Sequence, residues 1–266
     1  MAKPKKSLGL GVYLFFLIIV FISMFIGLGA GAVLQTDEAT HGVNAYEMLV
    51  HGNVLVNTYK YAVDYFNSKP PLSLWCIMLS YSVFGYTAFA LRFASAVAGC
   101  ILTVMMSVFL WKKENMATAV FFTAAVPLMT SLFEFHMFRA GDMDSIYVLL
   151  FAAAMLALYQ AGRGNGWSLV LYGLAFGLAF LTKSIHAGMI LLIGILYIPY
   201  LRKHISAGKI ISAAMAAILV PGIWAVFRYR YDGMKFLYQM ACGEAGDKIK
   251  SGPTLCYLQD ILHSKI

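Results

Sequence analysis

Apolar residues run through this chain in long blocks separated by short polar connections. A block of about 20 residues is what a helix needs to cross a hydrocarbon layer roughly 30 Å thick. Seven blocks approach that length: Leu8–Leu34, Phe89–Trp111, Met116–Phe133, Ile146–Gly162, Gly166–Thr182, Ile185–Leu201 and Ile210–Phe227. An eighth, Leu72–Phe84, is shorter and follows Pro70-Pro71, a pair that starts a helix but cannot sit inside one, so it is expected to lie at the interface. The pattern therefore predicts an all-α fold, a polytopic transmembrane helical bundle of about seven spans whose first loop carries surface helices.

The segment Gln35 to Pro71 is the largest outside the apolar blocks. Thr36 is placed to cap a helix with Asp37 and Glu38 in its first turn, and Ala39, Val43, Tyr46 and Val50 then share one face, as in a helix resting on a membrane. His51-Gly52-Asn53 ends it, and Asn57 to Asn67 reads as irregular chain or short extended pieces. The expected division is a retained signal-anchor span over residues 1–34, an extracytoplasmic loop over 35–88, six spans over 89–227 and an extracytoplasmic tail over 228–266.

Composition agrees with the pattern: of 266 residues 61% are hydrophobic and 12% charged, too apolar for a water-soluble core. The net charge of +8 comes from basic residues scattered between apolar blocks, which form no continuous stripe for nucleic acid and suit anionic lipid headgroups. With seven spans, the basic N-terminus, Lys112/Lys113, Arg163 and Arg202/Lys203/Lys209 fall inside, as the positive-inside tendency prefers, while the basic tail after Phe227 falls outside, against it. Among the four cysteines no metal spacing occurs; Cys76 and Cys100 read as packing residues, and Cys242 and Cys256 are close enough in sequence to pair in an oxidising compartment.

Charges at span ends carry the candidate chemistry, because each is costly near a bilayer. Parity gathers Asp37, Glu38, Asp64, Lys69, Arg139, Asp142, Asp144 and Lys183 at one outer face, a set suited to an anionic lipid headgroup. Each also has a plainer reading. Asp37 and Glu38 suit the start of a helix dipole, Asp142 can cap the next span, and Lys69 and Lys183 can snorkel; Tyr59, Tyr61, Tyr65 and Phe66 suit an interface as well as a sugar.

Taken in order, Thr36-Asp37-Glu38-Ala39 with Asn44-Ala45-Tyr46-Glu47-Met48, Lys69-Pro70-Pro71-Leu72 with Trp75, Phe84-Gly85-Tyr86 with Phe89-Ala90-Leu91-Arg92, Arg139-Ala140-Gly141-Asp142-Met143-Asp144 and Phe180-Leu181-Thr182-Lys183-Ser184 resemble the N-terminal half of a GT-C membrane glycosyltransferase. The resemblance is to the superfamily of protein O-mannosyltransferases and lipid A aminoarabinose transferases. It implies transfer of a sugar from a polyprenyl-phosphate donor, on the extracytoplasmic side of the cell membrane, to a glycolipid, glycan or protein acceptor. It further implies Asp37 as general base with Glu38 beside it, Lys69, Arg139 and Lys183 as donor-phosphate ligands, and Asp142, Asp144 and Tyr65 as substrate-orienting residues. A divalent cation on Asp142 and Glu38 is among what it allows, and the metal requirement stays open. Two features depart from the superfamily: Asn67-Ser68 stands where many relatives carry an acid before Lys-Pro-Pro, and the sequence stops at Ile266, short of the usual length. The competing readings are a non-enzymatic membrane protein that binds lipid phosphate with the same cations, and an inactive remnant of a transferase.

Overall fold

The fold is described from a computed structural model, which covers residues 6–33, 36–133, 136–201 and 206–243. Its helices are α1 (Lys6–Phe25), α2 (Thr36–Val50), α3 (Leu72–Phe84), α4 (Ala88–Lys113), α5 (Met116–Ala125), α6 (Asp144–Gly162), α7 (Ser168–Lys183), α8 (Gly188–Leu201) and α9 (Ala207–Asp232). Between α2 and α3 lie two short antiparallel strands, β1 (Thr58–Tyr59) and β2 (Ala62–Val63), with Thr58 opposite Val63. Lys60 and Tyr61 turn that hairpin with φ of 55° and 60°. Among the described residues, four helical stretches are long and apolar enough to cross a membrane: Ala88–Lys113, Asp144–Gly162, Ser168–Leu201 and Ala207–Asp232. The chain is a multi-pass membrane protein.

The third stretch folds back on itself. A straight helix would set Leu169 and Leu201 roughly 48 Å apart, yet both belong to one buried cluster with Leu158 and Ala213. The reversal falls at Ser184–Ala187, a 3₁₀ turn entered through Ser184 at φ 34°, and the Tyr172 hydroxyl donates across the hairpin to the Ile190 carbonyl.

Three apolar blocks break sooner than the pattern predicts. Block Leu8–Leu34 is helical only to Phe25, because Gly27 takes φ 64° and Arg139 donates to the carbonyls of Ser23 and Ile26 at the helix end. Block Met116–Phe133 leaves the α-helix at Ala125, where Pro127 withholds an N–H and the chain tightens into 3₁₀ turns. Block Ile185–Leu201 spends its first residues in the reversal. In the other direction, α9 runs on past Phe227 to Asp232.

Helix α2 spans the expected residues and leaves most of its apolar stripe outward, as a helix resting on a membrane would. Glu38, His41, Asn44 and Glu47 point inward, while Ala39, Val43 and Val50 of the apolar stripe are exposed. The reason is the partner: inward lie Arg92, Asp64 and Asn67, which pair with polar groups, so the apolar stripe is left outward. Helix α3 follows Pro71 as expected, and α4 starts where Thr87 accepts from the Ala90 N–H at 3.1 Å. One buried cluster joins α2, α3 and the start of α4 with Met143; another joins α1, α4 and α5 around Phe138. Gly99 in α4 makes room for that ring, since a Cβ there would stand 2.7 Å from the Phe138 Cγ. Cys100 is buried in the same cluster, in keeping with a packing role, and the suggested pairing of Cys242 with Cys256 lies outside the described residues.

Candidate active site

Three segments meet beside the start of α4: the first turns of α2, the chain before α3, and the loop 136–143. Their joint is a buried ion pair. Arg92 donates from Nε to Glu38 Oε1 at 2.7 Å and from Nη2 to Oε2 at 3.1 Å, and its remaining donors reach the carbonyls of Leu28, Gly31 and Ala32. Glu38 Oε1 also accepts from the Gly141 N–H at 2.8 Å. With side-chain exposures of 9% and 3%, the pair is enclosed and fully hydrogen-bonded, the condition under which a buried ion pair is tolerated. It fixes the residue after Asp37 to the residue before Asp142.

Asp142 is itself buried. Its Oδ1 accepts from the Met143 N–H at 2.6 Å, its Oδ2 meets His136 Nδ1, and its carbonyl accepts from the Ser95 hydroxyl. Burial pushes this carboxyl up, but the His136 hydrogen bond, the neighbouring His41 and the Met143 N–H outweigh it and hold the group below the usual carboxylate range. His41 lies one α2 turn beyond Asp37, 2% exposed, with Nδ1 3.8 Å from Asp142 Oδ1. Its ordinary value of 6.5 is lowered chiefly by burial; Asp142 and Asp37 pull it up and Lys69 pushes it down. Asp37, in contrast, is exposed, and its carboxylate accepts no hydrogen bond among the described residues. One ligand atom each of Asp37, His136 and Asp142 lies within 4.8 Å of the other two, so these residues could hold a metal ion.

The chain that leads to Lys69 is tied down by an amide network. Asn44 on α2 donates to the Thr58 carbonyl and to Asp64; Asn67 donates to Asn44; Asn57 donates to the carbonyls of Asp64 and Asn67. Arg228 of α9, fully buried, extends the network by donating to the Leu55 carbonyl, Asn57 Oδ1 and Asp232. Lys69 is half-buried, and its ammonium forms no ion pair among the described residues. Such a site offers an open carboxylate, a second carboxylate flanked by imidazoles, and an uncommitted cation on a proline-stiffened stem.

Residues 68–235, well over half the chain, match the family described as dolichyl-phosphate-mannose-protein mannosyltransferase. The chain belongs to that family. It is also similar to undecaprenyl phosphate-alpha-4-amino-4-deoxy-L-arabinose arabinosyl transferases: 25% identical over 248 residues to the second such protein of Proteus mirabilis, covering 88% of this chain and 43% of that one, and 26% identical to the Yersinia pestis protein, covering 84% and 41%. The crystal structures of ArnT from Cupriavidus metallidurans share its fold, with TM-scores of 0.66 bound to undecaprenyl phosphate and 0.68 in the apo state, at 15% identity and over 44% of that chain. The chain thus spans less than half the length of the relatives it matches.

Within this dolichyl-phosphate-mannose-protein mannosyltransferase family member, the structure brings together Asp37, Glu38 and Asp142 of the expected site residues, with Lys69 near them through His41. The others have other partners. Arg139 caps α1, and Lys183 pairs with Asp144, the first residue of α6. Tyr65 sits with Asp232 and under Lys235, whose ammonium is 4.1 Å from its ring centre; burial first, then Asp232, raises its hydroxyl pKa. Sequence reasoning missed His41 and His136. His41 falls four residues after Asp37, on adjoining turns of one helix, a spacing legible in the sequence; His136, at φ 62° in an irregular loop, left no periodic signal.

Proposed function

We propose that this chain works in a membrane glycosyltransferase that moves a sugar from a polyprenyl-phosphate donor to an acceptor of the cell envelope, a glycolipid, glycan or protein. The observation that carries the reading is an open Asp37 carboxylate and an unpaired Lys69 ammonium that both face His41, on a helix start whose next residue, Glu38, is fixed by Arg92. A hydroxyl nucleophile needs a base, and a leaving phosphate needs a cation where charge grows in the transition state. Asp37 is the base, its open oxygens free to take the acceptor proton as the hydroxyl attacks the anomeric carbon. Lys69 receives the phosphate, and Asp142 orients the sugar or acceptor.

The geometry supports different tasks for three expected site residues. Glu38 has both oxygens engaged by Arg92 and Gly141, so it positions Asp37 and Asp142 and does no chemistry itself. Arg139 serves the end of α1. Lys183 is a second phosphate cation, held by Asp144 until phosphate replaces that carboxylate. The site belongs on the extracytoplasmic face of a seven-span arrangement, in which α1, α5 and the hairpin of α7 and α8 complete the four long stretches. Contact of Arg228, near the end of α9, with the first loop supports placing that loop and the end of α9 on one side.

Transfer of radiolabelled sugar from an undecaprenyl-phosphate donor, by protein in nanodiscs with membrane extract as acceptor, tests the reading. Asp37→Asn should keep donor binding while transfer falls ~10²–10⁴-fold, as for loss of a general base. Lys69→Met should weaken donor binding and transfer together. Near wild-type transfer by Asp37→Asn would make its acidity a helix-start feature. Donor binding without transfer by any form would favour a lipid-phosphate-binding protein.

A further inference from the structure

Beside the base and the cation, one group of side chains has the composition of a metal site. We propose that Asp37, His136 and Asp142 bind a divalent transition ion of the Zn²⁺ or Mn²⁺ type, with His41 facing the same ion. The proposal rests on reading Asp37 and Asp142 as parts of one working site, and it assigns that site a resident cation.

Distance comes first. With the three ligand atoms within 4.8 Å of one another, some point lies within ~2.8 Å of all three, against the 2.0–2.2 Å of bound zinc, and an ion there takes the place of the direct hydrogen bond between His136 and Asp142. A rotamer change of the exposed Asp37, whose carboxylate no hydrogen bond among the described residues holds, and a small parting of the His136 ring from Asp142 close the excess. Asp142 and His136 already stand together: the carboxylate is held by the Met143 N–H, and the ring lies against its other oxygen.

Independent of the cluster is His41. Its Nδ1 is buried, has no hydrogen-bond partner, and is aimed at Asp142 Oδ1 from 3.8 Å. A buried ring nitrogen left without a partner is costly, and an ion on Asp142 supplies the electrophile its lone pair lacks. Charge points the same way. Two carboxylates converge here against one ammonium, Lys69, and the Arg92 guanidinium is spent on Glu38. Mixed imidazole and carboxylate ligands favour zinc, manganese or iron over magnesium and calcium, which prefer oxygen alone. An ion so placed polarises an acceptor hydroxyl bound to it, and the outer oxygen of Asp37 remains to take the proton.

The test is metal binding by the full chain in nanodiscs, stripped with EDTA and titrated with Mn²⁺ followed by paramagnetic resonance, then with Zn²⁺ followed by elemental analysis. One ion per chain is expected. Asp37→Asn, which alters an exposed residue and leaves the fold in place, should weaken binding more than tenfold, as should His136→Ala; His41→Ala should weaken it about tenfold. Glu114→Gln, at the far end of α4, should bind as wild type. Absence of stoichiometric binding, or equal affinity in Asp37→Asn, His136→Ala and wild type, overturns the site. Sugar transfer by EDTA-treated protein that binds no metal would overturn it while leaving the transferase reading intact; stoichiometric binding without transfer would do the reverse.

Discussion

Replacing Arg92 with Met should be the most damaging single change near the site, and the structure says how damaging. Met keeps the apolar stem but removes the guanidinium, leaving Glu38 charged and enclosed at 3% side-chain exposure. Breaking a buried pair from one side costs ~3–5 kcal/mol, and the stranded carbonyls of Leu28, Gly31 and Ala32 add up to ~1 kcal/mol each where water cannot reach them. Glu38→Gln alone should cost ~2–3 kcal/mol, because it leaves a buried guanidinium facing a neutral amide. In the Arg92→Met background the sign should reverse. There Glu38→Gln removes the unpaired charge, keeps an oxygen for the Gly141 N–H, and should restore ~2 kcal/mol. The assay is SDS titration in mixed micelles, followed by tryptophan fluorescence, with all four members of the cycle. If Glu38→Gln destabilises equally in both backgrounds, the two residues are not coupled and the clamp between Asp37 and Asp142 does not exist.

Arg228→Met should strand Asp232, Leu55 O and Asn57 Oδ1, lowering stability by ~3 kcal/mol and loosening the first loop. Hydrogen exchange should show faster exchange over residues 53–67, and unchanged protection there would contradict the anchoring role. For topology, Tyr61→Cys and Trp167→Cys, at positions 65% and 70% exposed, should label from opposite sides of the membrane once the native cysteines are replaced. An impermeant maleimide should reach the first in intact cells and the second only after permeabilisation; labelling of both in intact cells would refute the span order.

Hydropathy made the helices legible because a bilayer imposes a length on each apolar block. It could not show where a block stops short. The end of α1 depends on Arg139, more than a hundred residues away, and the reversal after α7 on one left-handed serine. Site residues on one helix, such as Asp37 and Glu38, were readable from local order, but their separate fates were not. Glu38 closes on Arg92 and Gly141 while its neighbour stays open, a difference created by contacts distant in sequence. Likewise, Asn57 and Asn67 look like ordinary loop amides, and Asn44 like a helix-surface one, until the hairpin folds them into one network. The apolar stripe of α2 was legible as a membrane-facing surface, and Ala39, Val43 and Val50 are exposed as that requires; what periodicity could not show is that the other face buries Glu38, His41, Asn44 and Glu47 against polar partners distant in sequence.

Two such faces give α2 the properties of a float. Its outward Val43 and Val50 seek the acyl boundary and its inward face carries the charges, so the depth at which the helix rides sets the height of Asp37 above the hydrocarbon. A lipid-borne phosphate is confined to that same thin layer. On the proposed function, site and donor would then take their vertical alignment from the bilayer itself, and lipids that thicken or thin the layer would retune the transfer without touching a residue of the site.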